Sequence, residues 1–262
     1  MLATALLVVA TGACGASAPG DSDRPTLTVF AAASLRAAMD AVAAAYESES
    51  GVGIVIATDS SAALATQIEQ GAPVDVFLSA DEQNPQRLID GGLAAGPAVA
   101  FARNALAVIV PADAWAATAS ITSPADLARP GVRVIAAGDR VPITAYAAEL
   151  IANLSTLDGY PATFAEDYAA NVVSREDNVA AVVAKIQLGE GDAAIVYATD
   201  ARSAGDVREV DVPADANVAA TYGAVVVGSS AVVARAQAFL GWLTRADGQA
   251  VLAGFGFMAP AP

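Results

Sequence analysis

From Thr26 onward, the apolar positions follow two alternating periods. Short continuous runs, rich in β-branched residues, suit buried strands at 26–32 (TLTVFAA), 52–58, 74–79, 106–110, 132–136 and 194–197. Between them, apolar residues recur at helical spacing. Leu35, Met39, Val42 and Tyr46 mark one face of a helix that opens at Ser34 and ends at Gly51. Leu64 and Ile68 mark a second, which opens at Ser61 and is closed by Gly71 and Pro73. Ser123-Pro124-Ala125-Asp126 carries a serine cap, an early proline and an acid, the signature of a helix start. Residues 231–243 and 246–253 read as two final helices before Gly254-Phe255-Gly256-Phe257. Strands alternating with helices of this length predict an α/β fold with largely parallel sheets. No internal repeat and no Pro/Gly/Ser-rich interior linker is visible, so two lobes would be joined by short crossings. The best candidates for those crossings are 101–106 and 219–224.

Composition narrows the possible functions. The 262 residues suffice for one or two substantial cores. A hydrophobic content of 55% and a mean hydropathy of +0.50 raise the question of a membrane protein. Past residue 20, however, no apolar run approaches the roughly 20 residues of a spanning helix. Arg36, Asp40, Asp75, Arg103 and Asp139 interrupt the candidates. The net charge of −15, from 13 basic and 28 acidic side chains, argues against a nucleic-acid partner. Histidine is absent, which removes an imidazole base for a Ser-His-Asp triad and an imidazole ligand for zinc. Sites built from carboxylates alone stay open.

Residues 2–10 (LATALLVVA) form an apolar stretch too short to span a membrane, as in a secretory signal. No Lys or Arg precedes Arg24, so either the true start lies upstream or the signal is atypical. Thr11-Gly12-Ala13-Cys14 resembles a bacterial lipobox, with Thr11 where leucine is usual. Cys14 is the only cysteine and forms no intrachain disulfide, which favours a lipid-anchor site over a chance cysteine in a removed signal. Residues 15–25 would then be a tether. The expectation is an exported protein, in the periplasm or on the outer face of the cytoplasmic membrane.

Two hydroxyl-bearing helix starts follow strands, at Ser34 and at Ser60-Ser61. A helix N-terminus with a serine offers an anion both a backbone N–H and a hydroxyl. The plainer alternative is that both serines cap their helices.

Longer strings carry a resemblance. FAAASL at 30–35, Ser60-Ser61 and LATQIEQGAPVDVFLSA at 64–80 resemble the N-terminal half of the periplasmic molybdate-binding protein family. Val141-Pro142 before Tyr146, Glu176-Asp177 before Val179, IVYATDA at 195–201 and the ending at 254–257 continue the pattern in order. The resemblance implies a two-lobed, type II periplasmic-binding-protein-like α/β fold with ligand in the cleft. Lobe I would comprise 26–102 and 222–262, lobe II 103–221, after a leader at 1–25. It implies a non-enzymatic monomer that captures molybdate or tungstate and delivers it to the membrane permease of an ABC importer. It implies no cofactor and no direct protein ligand to molybdenum, which enters only as the oxyanion. The family's contacts fall on Ser34 and Ser61 (hydroxyl and N–H each), Ile143 and Val179 (N–H) and Tyr197 (hydroxyl), with Ala80 as wall. This sequence has Ile143-Thr144 where the family usually has Ala-Gly, and Arg140 where Pro often precedes the loop. The Ile143 side chain must therefore point away from the ligand.

Other readings compete. A binding protein for sulfate or another tetrahedral oxyanion would keep the fold. A ferric-iron binder would want paired tyrosines with carboxylates, which do not flank the site. A serine hydrolase lacks both histidine and a Gly-x-Ser-x-Gly elbow, and a Ser-Lys dyad would have to use Lys185, the only lysine. A signalling or adhesion ectodomain would act through an exposed surface that a sequence does not display.

Overall fold

The computed structural model describes residues 24–113 and 121–261. The expected export signal and Cys14 lie outside the described residues. The chain opens with β1 (Thr26–Ala32), a 3-10 turn (Ala33–Leu35), α1 (Arg36–Ser50), β2 (Gly53–Asp59) and α2 (Ser61–Glu69). It continues through β3 (Val76–Leu78), α3 (Gln83–Asp90) and β4 (Val99–Asn104). After Ala105 come β5 (Leu106–Pro111), a 3-10 turn (Pro124–Ala128), β6 (Val134–Ala137), α4 (Pro142–Leu154) and α5 (Phe164–Ala170). β7 (Val172–Glu176), α6 (Val179–Gln187), β8 (Ala193–Tyr197), α7 (Ala198–Ser203) and β9 (Val207–Val210) follow. β10 (Ala220–Val226), α8 (Val233–Leu243) and α9 (Ala246–Gly254) end the chain. The architecture is two-lobed: one sheet has the order β2-β1-β3-β10-β4, the other β7-β6-β8-β5-β9.

The sheets are mixed rather than largely parallel. β1 runs parallel to β2 and β3, and β6 to β7 and β8, while β10 and β5 are antiparallel to both of their neighbours. The helix–strand alternation reports only strands joined by a crossover helix, and those are the parallel ones. β5 and β10 each receive the chain as it arrives from the other lobe, so no crossover constrains their direction. The expected crossing at 219–224 is mostly β10 itself, and the passage between sheets occupies 211–219. Nor does Ser123 open an α-helix. Its Oγ accepts from Ala125 N–H at 3.2 Å and Asp126 Oδ2 accepts from Ser123 N–H at 3.0 Å, but the turn they cap is a single 3-10 piece.

Gly51 ends α1 in the left-handed region, φ 72°, its N–H donating to Glu47 O at 2.9 Å. The final helices pack back on the first sheet, α9 against α1 and α8 against β10. Tyr46 of α1 meets Phe239 and Trp242 of α8 with ring centroids 5.0 and 5.2 Å apart, and Trp242 Nε1 donates to Glu49 Oε2 at 2.7 Å. Such aromatic contacts fix the helix pair beyond their area burial. On the opposite face of the same sheet, Phe30, Leu64, Ile68, Phe77 and Val225 form a second apolar cluster under α2. Among the described residues, no helix is long and apolar enough to cross a membrane.

The turn from α8 to α9 depends on a glycine. A Cβ at Gly248 would stand 2.6 Å from both Leu243 Cα and Trp242 O, backbone atoms that a rotamer change does not move. Gly248→Ala should therefore destabilise the protein by about 1–3 kcal/mol. Gly241, exposed on α8 with nothing within 4 Å of its added Cβ, should accept alanine neutrally or gain up to about 1 kcal/mol. Urea melts of the two variants check the contrast.

Candidate functional site

Five backbone segments meet between the lobes. Ser34 lies in the 3-10 turn after β1, and Ser61 is the first residue of α2. Across from them, Ile143 is the second residue of α4, Val179 the first of α6, and Tyr197 the last of β8. All five line one cavity of about 10 Å³, together with Ala32, Ala33, Ser60 and Ala80 on one side and Val141 and Pro142 on the other. That is room for roughly one water-sized sphere.

Neither serine side chain caps its helix. Ser61 Oγ accepts the N–H of Ala80 at 3.0 Å, and Ser34 Oγ is paired with Tyr222 Oη at 2.8 Å. With Ala80 donating to it, the Ser61 hydroxyl keeps its own proton for the cavity. The Tyr197 hydroxyl is buried and makes no hydrogen bond among the described residues. An unmatched buried hydroxyl costs about 1–3 kcal/mol, so its persistence at a cavity wall points to a missing acceptor. Burial, reinforced by Tyr222, Tyr146 and nearby carboxylates, holds this phenol well above its ordinary pKa, so it stays a donor.

Three helix N-termini, those of α2, α4 and α6, reach this cavity. The first N–H groups of a helix have no partner within it and form the positive end of its dipole. No ionised side chain lines the cavity. The charged groups flank it instead, in two outer grooves of about 630 and 380 Å³. Asp59, Asp139 and Asp177 line the first, and Asp81, Glu82 and Arg87 the second. Arg140 belongs to both grooves and is exposed. The grooves are larger, but the small cavity is where Ser34, Ser61, Tyr197 and the three helix starts meet. Among the described residues, no cluster of three or more acidic, cysteine or histidine side chains could hold a metal ion.

The unusual loop is held by its own substitutions. Ile143 is 2% exposed and packs into the core, while Thr144 Oγ1 donates to Gly138 O at 2.8 Å and ties the start of α4 back to β6. Asn178 caps α6, its Oδ1 accepting from Ala181 N–H at 3.0 Å, and its Nδ2 reaches across the cleft to Asp59 Oδ1 at 3.1 Å. The sequence reading missed Asn178, although an asparagine before an apolar helical run is a cap signal. It also missed Tyr222 and Asn104, which lie on strands of a distant segment and carry no local signal.

Residues 27–258 match the family described as bacterial extracellular solute-binding protein. The chain belongs to that family. Among its relatives, the molybdate-binding protein ModA of Mycobacterium tuberculosis is 34% identical over 270 residues, covering 99% of this chain and 97% of its own length. The solved periplasmic molybdate-binding protein of Azotobacter vinelandii superposes with a TM-score of 0.74 at 24% identity, over 90% of this chain and 100% of that one. The sulfate-binding protein SubI of M. tuberculosis has the same fold, with a TM-score of 0.77 at 21% identity over 91% and 88% of the two chains.

One acid near the site of this solute-binding protein is poised to titrate. Asp200 of α7 accepts the Tyr197 N–H at 3.3 Å, and burial pushes its carboxyl from 3.8 up to about 7, with that hydrogen bond offsetting part of the rise. Because the folded state holds this proton more tightly than the unfolded chain, its contribution to stability is complete below about pH 4. It is lost as pH rises through about 7. In the unliganded protein, Asp200→Asn should melt with the parent near pH 4. At pH 8 it should melt higher, by about 2–4 °C for each kcal/mol relieved. Calorimetric scans across that range check it.

Proposed function

We propose that this protein captures molybdate, or tungstate, outside the cytoplasmic membrane and delivers it to the membrane permease of an ABC importer. The observation that carries the reading is the small cavity lined by Ser34, Ser61 and Tyr197, reached by three helix N-termini and free of charged side chains. Hydrogen bonds to an ionised acceptor contribute roughly 1.5–3 kcal/mol each. Several of them, from fixed dipoles, offset the desolvation of a dianion without reorganising. The N–H groups of Ile143 and Val179 would complete the set. A donor-only wall also disfavours an oxyanion that carries a proton, since its O–H would find no acceptor. Molybdate and tungstate are bare dianions at neutral pH, and the relatedness to molybdate-binding proteins favours them over sulfate. Sulfate is also bare, so its exclusion rests on size.

The protein acts as a binding monomer and not as an enzyme, with lobe I at 26–102 and 222–262 and lobe II at 103–221 closing on the anion. It takes no cofactor and offers molybdenum no direct ligand. A Ser-Lys hydrolase is disfavoured by the chemistry of Lys185. Its ammonium bonds Ser174 at 3.2 Å, but Glu176 and Glu190 hold its pKa up, which keeps it protonated and unfit as a base. Cys14 would anchor the exported chain by lipid.

Calorimetric titration with molybdate, tungstate, sulfate and phosphate tests the assignment. Saturable one-to-one binding of the first two, at least tenfold tighter than of the others, is the expected result. Tight sulfate binding with none of molybdate overturns it. Ser34→Ala and Ser61→Ala should each weaken molybdate binding by about 10- to 150-fold, the worth of one charge-assisted hydrogen bond. If molybdate protects the double variant from heat as well as it protects the parent, the ligand lies elsewhere.

A further inference from the structure

Behind Ser34 runs a buried polar chain that ends at the passage between the lobes. Tyr222 of β10 is fully buried and its Oη sits 2.8 Å from Ser34 Oγ. Asn104, the last residue of β4 and also fully buried, reaches Tyr222 Oη at 3.2 Å and Thr199 Oγ1 of α7 at 2.8 Å with Nδ2. Asn104 thus touches a residue of each sheet's side, next to Ala105 where the chain leaves the first sheet. Tyr222 is aimed by an irregularity in its strand. The register of β10 against β4 shifts between Tyr222 and Gly223, and Gly223 is pressed against the loop after β3, where an added Cβ would lie 3.1 Å from Asp81 O. A bulge of this kind redirects a side chain out of the regular alternation.

The directions of the protons follow from counting partners. Two orientations of the Asn104 amide are sterically alike. With Nδ2 toward the two hydroxyls, one carbonyl lone-pair site, Oδ1, is left without a partner. With the amide reversed, two buried N–H groups would be left instead, and orphaned donors are the rarer and costlier defect. Asn104 therefore donates to Tyr222 Oη. The Tyr222 proton then has one acceptor in reach among the described residues, Ser34 Oγ. Burial keeps that phenol protonated at any physiological pH. Once Ser34 Oγ accepts from Tyr222, its own proton is released toward the cavity.

We propose that Asn104 and Tyr222 are positioning residues that fix Ser34 as a hydrogen-bond donor and thereby set the site's selectivity for unprotonated oxyanions. This rests on the site reading above. The relay does for Ser34 what the Ala80 N–H does for Ser61: each serine oxygen is occupied from behind, so that each proton faces the ligand. Without Tyr222, Ser34 would be free to turn a lone pair inward and accept the O–H of a protonated anion such as hydrogen phosphate.

The experiment is a double-mutant cycle on the purified protein, read by molybdate titration and by competition with phosphate at pH 8. Tyr222→Phe should weaken molybdate about tenfold and narrow the molybdate-to-phosphate preference by about a further tenfold, the scale of one charge-assisted bond. In a Ser34→Ala background the same change should have no further effect, because the relay acts only through Ser34. Asn104→Asp, whose carboxylate accepts from Tyr222 and so reverses the relay, should narrow the preference as well. The added charge acts alike on two dianions and cancels in the ratio. Melts of the unliganded variants show which are folded, and Asn104→Asp carries the test if Tyr222→Phe does not fold. A parent-like preference in the folded variants, or an effect of Tyr222→Phe that persists without Ser34, overturns the proposal. Loss of molybdate affinity in Ser34→Ala with none in Tyr222→Phe removes the relay and leaves the site. No loss in Ser34→Ala removes the site itself.

Discussion

An anion taken out of water has to recover its hydration from groups already fixed in place, and this constraint organises the cleft. Fixed N–H groups come free of charge repulsion only at helix starts, where the backbone leaves its first donors unpaired. The fold brings three such starts to one cavity because α2, α4 and α6 each follow a strand end at the inner edge of its sheet. Parallel β1 and β2 on one side, and β6 and β7 on the other, point those ends the same way. The mixed topology serves the same requirement. β5 and β10 receive the chain from the other lobe without displacing any of the three helix starts.

The cavity's neutrality explains how so acidic a chain can serve an anion. The net charge is −15, yet Asp59, Asp139 and Asp177 stand in the outer groove and not in the cavity wall. Repulsion from them reaches only about 8–10 Å through physiological salt, whereas the inner donors act in contact and away from water. Asp59 is further engaged by Ser60 N–H at 2.7 Å and by Asn178 across the cleft, so part of its charge is spent on holding the lobes together.

How much of this was legible in the sequence depends on the range of the interaction. Periodicity located β1, α1, β2 and α2 to within a residue or two, since each element answers to its own neighbours. It was silent on β10, whose partners β3 and β4 are more than a hundred residues away, and it took that segment for a crossing. The five cavity residues were reached through motif strings rather than through spacing. Spacing alone favoured capping for Ser34 and Ser61, and the structure instead gives their hydroxyls to Tyr222 and Ala80. Asn104 and Tyr222 were invisible because a buried polar network is defined by what surrounds it, and the surroundings come from separate parts of the chain.

The same donors that suit the cavity to an anion work against the closed form when it has none. The Tyr197 hydroxyl has no partner among the described residues, and the starts of α4 and α6 line the same cavity. Each buried unmatched donor costs about 1–3 kcal/mol, and opening the lobes to water relieves that cost. Against it stand, among the described residues, direct ties between elements of the first sheet and those packed with the second: Asn178 to Asp59, Tyr146 Oη to Thr221 O at 3.3 Å, and Asn104 to Thr199. An anion that satisfies the donors removes the reason to open, so binding energy and closure are one quantity. Its stabilisation of the folded chain then grows with ligand concentration as mass action requires. A binding protein that releases its cargo to a permease, as proposed, is served by this balance. The closed state is well made only while the anion is inside, and a partner that prises the lobes apart re-exposes donors which water can satisfy.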